Sequence, residues 1–167
     1  MARKSIYEKR RELWVKALRS RKYEQGIDGL NSDDKRYCCL GVLCEVAMQN
    51  GLSLTKDDDT ESEWVEYDGD AEQLPQAVAD WVGLESKIGR MHHQTSWDTI
   101  RKDLTIKTKY QTLNIANVDD DGLEILHYMD DKTPGCLATM NDAHIPFDVI
   151  ADVIEAKPKG LFYESTY

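Results

Sequence analysis

Six polar residues carry most of the capacity for chemistry in this chain. Arg19, Ser20, Tyr23 and Gln25 follow one helical segment, and Asn141 with Asp142 falls between two others. An arginine beside helix-end amides suits a phosphate or carboxylate, and a tyrosine ring can stack on a base. These six are therefore the candidate ligand-binding set, for a small anionic ligand. The same residue types are also ordinary cap and turn formers, so a purely structural role stands beside the functional one. Asp142 with a raised pKa would serve as a general acid or base, but no partner constellation surrounds it, and a non-enzymatic reading is preferred.

A second set is acidic. Asp57, Asp58, Asp59, Glu61 and Glu63 begin a stretch, Asp57 to Glu72, with nine acids and no base. It reads either as a solvated loop or as a face that mimics nucleic acid or docks on a basic partner. The formal charge of −10 hides a strong asymmetry. Residues 1–22 hold nine Lys/Arg and two acids (+7), whereas the remaining 145 hold 12 bases and 29 acids (−17). Duplex binding by the whole surface is disfavoured, because phosphate contacts need a basic footprint. The stretch from Asp57 approaches a calcium loop but has Ser62 at the sixth position, where Gly belongs, and Asp68 at the closing Glu position. Asp119–Gly122 is shorter still.

No cofactor or metal is called for. Phosphate loops, dinucleotide fingerprints, zinc-protease helices and nucleophile elbows are all absent. His92, His93, His127 and His144 lack ligand spacing, and Cys38, Cys39, Cys44 and Cys136 lack the C-x2-C pattern, so buried thiols in a reducing cytoplasm are expected. No run approaches the ~20 apolar residues of a membrane span, and the charged start is not a secretory signal.

The elements that must position these residues are mostly helical. Ser5 and Glu8 form a capping-box pattern, followed by Ile6, Leu13, Trp14, Ala17 and Leu18 at near-helical spacing. The bases of this helix pair by default with the protein's own acids. A second helix is expected over about Tyr37–Asn50, capped by Asp33 or Asp34 and stopped at Asn50-Gly51. It is apolar nearly all round, and Gly41 within it points to a close backbone approach by another element or a ligand. Trp64–Tyr67 with Asp68-Gly69 reads as a short hairpin. Pro75 opens a third helix ending at Gly83, Thr133-Pro134 a short one broken near Asn141-Asp142, and Pro146 a last one with Phe147, Ile150, Ala151 and Ile154 on one face. The last helix resembles the first half of a helix-turn-helix, but too few residues follow it, and core packing explains it better. The weak signals over residues 85–131, including Leu104–Thr108, Leu113, Ile115 and Val118, read as a small antiparallel sheet. The expectation is one α+β domain over residues 1–167, mostly helical, with a small sheet or hairpins in the middle.

Trp14–Gly26 (WVKALRSRKYEQG) and Tyr37–Cys44 (YCCLGVLC) resemble a family of small proteins of tailed bacteriophages and prophages. Leu74–Val78 with Trp81–Leu84, and Leu137–Asp142 with the helix after it, resemble its later blocks. The chain departs from that pattern at Arg21, where Gly is common, and in a longer Glu85–Asp131. The family brings no catalytic residues to carry over. The resemblance implies an accessory phage protein in the cytoplasm of the infected bacterium, acting on host pathways. The leading expectation is counter-defence by sequestering a small nucleotide-type signal through Arg19, Ser20, Tyr23, Gln25, Asn141 and Asp142. The alternative is an acidic inhibitor or nucleic-acid mimic that docks on a basic host protein. Homo-oligomerisation is left open.

Overall fold

The Ser5 hydroxyl accepts the Glu8 amide at 3.1 Å while the Glu8 carboxylate accepts the Ser5 amide at 2.8 Å. This reciprocal cap starts α1 (Ile6–Arg19) as the sequence pattern predicts. The computed structural model describes residues 4–32, 35–58, 61–91 and 135–164. After α1 come β1 (Glu24–Gln25), β2 (Arg36–Tyr37), α2 (Cys39–Gln49), β3 (Lys56–Asp57) and β4 (Glu66–Tyr67). Then follow α3 (Gln76–Val82), α4 (Leu137–Asp142) and α5 (Phe147–Ala156). Among the described residues, five helices and two sheets of two strands each make an α+β fold.

The buried side of α1 differs from the expected stripe. Arg11, Trp14, Val15 and Leu18 face inward, while Ile6 and Leu13 stay 54% and 39% exposed. The reason is a neighbour on each flank. Helix α5 lies along α1, and α2 and α3 pack beside it, so the buried sector turns toward Arg11 and Val15. Trp14 is fully buried and donates its indole N–H to the Cys39 carbonyl at 2.9 Å, joining α1 to the start of α2.

Helix α2 is the central element, with Cys39 to Cys44, Val46 and Ala47 all buried. Burial of the larger of these, Leu40, Val42, Leu43 and Val46, contributes about 1.5–3 kcal/mol each. Its cap is Cys38, whose Sγ accepts the Gly41 amide at 3.3 Å, and not Asp33 or Asp34, which lie outside the described residues. The helix begins two residues later than expected because Arg36 and Tyr37 are drawn into β2. Gly51 (φ +92°) provides the left-handed stop. Among the described residues all four cysteines are free and buried. Burial pushes the Cys38 thiol up to about 12, and raises Cys39 and Cys44 well above the ordinary thiol value.

The sheets are small and placed differently from the sequence reading. Strands β1 and β2 run parallel, pairing Glu24 with Arg36 and Gln25 with Tyr37, where a loop was expected. Strands β3 and β4 are antiparallel, pairing Lys56 with Tyr67 and Asp57 with Glu66. The Asp68-Gly69 turn forms as expected: Tyr67 and Asp70 exchange backbone bonds, and both turn residues have positive φ (52° and 81°). The expected strands at Leu104–Thr108 and beyond, the Thr133-Pro134 helix start, Asp119–Gly122, and His92, His93 and His127 lie outside the described residues.

Helix α3 ends at left-handed Gly83 and α5 begins after Pro146, both as expected. Helix α5 buries Val149 and Val153 as well as Phe147, Ile150, Ala151 and Ile154, a wider face than the pattern required. It is packed against α1 as a core helix. The chain after α5 returns to the end of α3, where Leu84 bridges Phe162 and the Tyr163 amide donates to the Gly83 carbonyl at 3.0 Å. Among the described residues, no helix is long and apolar enough to cross a membrane.

Candidate functional site

The six candidate ligand residues separate into three environments. Arg19, at the last turn of α1, turns toward α5. Its guanidinium donates to both Glu155 oxygens, at 2.9 and 2.8 Å, and to the Asp152 carboxylate. This fork-on-carboxylate geometry suits arginine and makes Arg19 a clamp between α1 and α5. The arginine holds the exposed Glu155 carboxyl below its ordinary value. At the less exposed Asp152, burial outweighs the same cation and the net shift is upward. Arg19 also loses protons less readily than a free arginine, chiefly through Glu155. The default expectation of internal pairing describes this residue well.

Gln25, Asn141 and Asp142 do meet, around the start of α2. Asn141 is fully buried at the end of α4, and its side-chain oxygen accepts the Cys39 amide at 3.0 Å and the Gln25 side chain at 3.1 Å. Its amide group donates to the Gly26 carbonyl at 2.8 Å, and Gln25 also donates to the Ile145 carbonyl at 2.8 Å. The side chain thereby satisfies an orphan N–H of the first turn of α2 and ties three chain segments together. Asp142 accepts the Asp28 amide at 3.1 Å, and burial raises its carboxyl above the ordinary value. These contacts are those of a structural junction, with every Asn141 polar atom turned to the protein itself.

Ser20 and Tyr23 lie on the surface side. The Ser20 hydroxyl donates to the Ala17 carbonyl at 2.6 Å and accepts the Lys22 amide at 3.2 Å, closing the end of α1. Tyr23 is half-buried and meets Tyr37 edge-to-face, with ring centroids 5.1 Å apart and planes at 84°. Its hydroxyl accepts the Gln49 side chain at 3.1 Å.

The acidic residues are displayed as a surface. Asp57, Asp58, Glu61 and Glu63 are exposed, and Asp59 lies outside the described residues. Asp68 and Asp70 are partly used by backbone, accepting the Thr55 amide and the Glu72 and Gln73 amides. The nearest base in sequence, Lys56, donates to Glu45 at 2.6 Å on the other side of its strand.

That pair belongs to a network the sequence reading missed. The same Glu45 oxygen accepts the Tyr67 hydroxyl at 2.6 Å, and Tyr67 in turn accepts the Asn31 side-chain amide at 3.1 Å. Tyr67 and Asn31 are buried, and burial with the Glu45 charge raises the Tyr67 hydroxyl far above its ordinary value. The four residues are spread over 37 positions without a motif, with Glu45 in the expected second helix and Tyr67 in the expected hairpin. Elsewhere a cleft of about 280 Å³ opens between α1 and α5, lined by Glu8, Arg11, Glu12, Val15, Ile154, Glu155 and Lys157. None of the six candidates lines it, although Glu155 is the partner of Arg19. No group of three or more His, Cys, Asp or Glu among the described residues is placed to hold a metal ion.

The chain belongs to a protein family described as a domain of unknown function, DUF8296, whose model matches residues 6–158. No curated protein and no solved structure matches it.

Proposed function

We propose that the protein is a non-enzymatic accessory protein of a tailed phage that acts in the cytoplasm of the infected bacterium, docking on a basic host protein through its acidic face. The observation that carries this reading is the exposure of Asp57, Asp58, Glu61 and Glu63 on a stretch without a base, while Lys56 beside them is committed to Glu45. A surface of one sign raises the encounter rate with a basic partner and favours it over acidic competitors. The phage origin rests on the sequence resemblance, and counter-defence is the role that origin supports.

The test is capture from bacterial lysate on immobilised protein, at low and at high salt. A basic partner should be retained at low salt and released as salt screens the face. The quadruple variant Asp57→Lys, Asp58→Lys, Glu61→Lys, Glu63→Lys should lose it. Equal capture by that variant would sink the reading.

Sequestration of a nucleotide-type signal is the second reading. It would need Arg19 to leave Glu155 and Asp152, so that residue no longer supports it. What supports it is the half-buried Tyr23–Tyr37 ring pair.

A further inference from the structure

The parallel β1–β2 pair brings two basic dipeptides to one place. Arg21-Lys22 precedes β1, and Lys35-Arg36 leads into and begins β2. Because the strands run parallel with Glu24 opposite Arg36, both dipeptides stand at the same end of the pair. All four cations are exposed. Arg21–Gln25 and Lys35–Tyr37 hold four bases and one acid, Glu24, and in sequence Asp33-Asp34 directly precede Lys35. Tyr23 follows the first dipeptide and Tyr37 the second, their rings meet edge-to-face, and the Lys22 ammonium sits 5.3 Å from the Tyr23 ring centroid.

The backbone adds an independent observation. Arg21 and Lys35 both occupy the left-handed region, at φ 59° and 62°. Residues with a Cβ pay a conformational penalty there, and such outliers gather at ligand clamps. Glycine would satisfy the backbone at both positions, yet both carry a cation.

We propose that this end of the β1–β2 pair binds a small anionic aromatic ligand of the nucleotide class, its phosphates on Arg21, Lys22 and Lys35 and its base against the Tyr23–Tyr37 pair. Arg36 flanks the phosphates. Side-chain ammonium and guanidinium groups supply charge-assisted hydrogen bonds to phosphate, and aromatic rings accept a base face without selecting its sequence. Four cations match a ligand of a few phosphates; a duplex would extend over the acidic remainder of the surface. The inference rests on the sequestration reading and replaces Arg19 by a different set of cations.

Titration calorimetry of the full chain at low salt, with AMP, ADP and ATP as probes and adenosine and inorganic phosphate as controls, tests it. Affinity should rise with phosphate number, fall with salt, and be weakest for the two controls. Lys22→Ala and Lys35→Glu, both at exposed positions, should each weaken ADP binding about tenfold, while Lys9→Ala, on the exposed side of α1, keeps it. Circular dichroism identifies any variant that fails to fold. No heat with any probe overturns the proposal, as does tighter binding of a single-stranded oligonucleotide than of ATP. Binding that survives Lys22→Ala and Lys35→Glu overturns this site but leaves sequestration standing. Loss of binding in those variants, with ADP consumed by the wild type on chromatography, supports the site and removes sequestration.

Discussion

Gly41 and Leu30 touch backbone to backbone: a Cβ built on Gly41 would lie 1.6 Å from the Leu30 carbonyl oxygen. That oxygen also accepts the Cys38 amide at 3.1 Å, so the loop before β2 is held against the first turn of α2. The close approach expected of Gly41 is therefore made by the protein's own main chain. Neither side can yield, because Leu30 is fully buried and Gly41 is inside a helix. Gly41→Ala, normally favourable in a helix, should destabilise the protein by about 3 kcal/mol or more, read as a lowered urea midpoint. A variant within 0.5 kcal/mol of wild type would contradict the contact, that margin being roughly the scatter of neutral surface changes.

Asn141 discriminates structure from ligand binding. Its side chain serves the Cys39 amide, the Gln25 side chain and the Gly26 carbonyl at full burial. Asn141→Ala leaves a buried amide and a buried carbonyl unanswered, and should cost about 2–4 kcal/mol. Asn141→Asp keeps the acceptor but loses the bond to Gly26 and buries a charge, so it should be no better. Unchanged stability in Asn141→Ala would show that the junction is dispensable and return Asn141 to the ligand-binding set. Chemical denaturation of the two variants decides this.

What was legible in the sequence follows from how local each signal is. The Ser5–Glu8 cap, the Asp68-Gly69 turn, the Gly83 stop and the apolar α2 are each written within a few residues, and each is present. The orientation of α1 was not, because Ile6 and Leu13 share the helical period with Trp14 and Leu18, and only α5 and α3 decide which side is covered. The parallel β1–β2 pair was hidden too: two residues per strand leave no alternation to read. The candidate ligand residues were recognised by type, and type does not distinguish an arginine facing a phosphate from one facing Glu155. Asp152 and Glu155 lie more than 130 positions from Arg19, so their claim on it is a fact of tertiary structure.

The backbone at Arg21 links stability to the inferred ligand site. With φ at 59°, this residue follows the Ser20 cap at a place where a left-handed glycine commonly ends a helix. Arg21→Gly removes left-handed strain of about 1–2 kcal/mol and adds unfolded-chain entropy of roughly 0.5–1 kcal/mol. The net should be a stabilisation of about 0.5 kcal/mol, or roughly 1–2 °C in Tm by differential scanning calorimetry. Affinity for ADP should fall in the same variant. A lower Tm would show that the Arg21 side chain makes a stabilising contact that outweighs the strain.

Asp142 sets a pH dependence whose sign differs from that of Glu155. Burial is the main cause that raises the Asp142 carboxyl, the Asp28 amide opposes it, the Asp28 charge raises it further, and the Asn141 side chain and His144 lower it. The native state therefore binds this proton more tightly than the unfolded chain does. Across the interval from the ordinary carboxylate value up to the raised one, stability falls as pH rises, and above the raised value the full penalty is present. Glu155 acts oppositely: Arg19 lowers its carboxyl, so its contribution is present above the ordinary value and is lost as pH falls through the lowered one. Asp142→Asn keeps an oxygen to accept the Asp28 amide and removes the charge. It should be more stable than wild type at pH 7, with the advantage shrinking toward pH 4, about the ordinary carboxylate value. Urea denaturation at both pH values measures the difference. An Asp142→Asn variant equal to or weaker than wild type at pH 7 would mean that the ionised carboxylate is itself stabilised where it lies, against the direction its burial imposes.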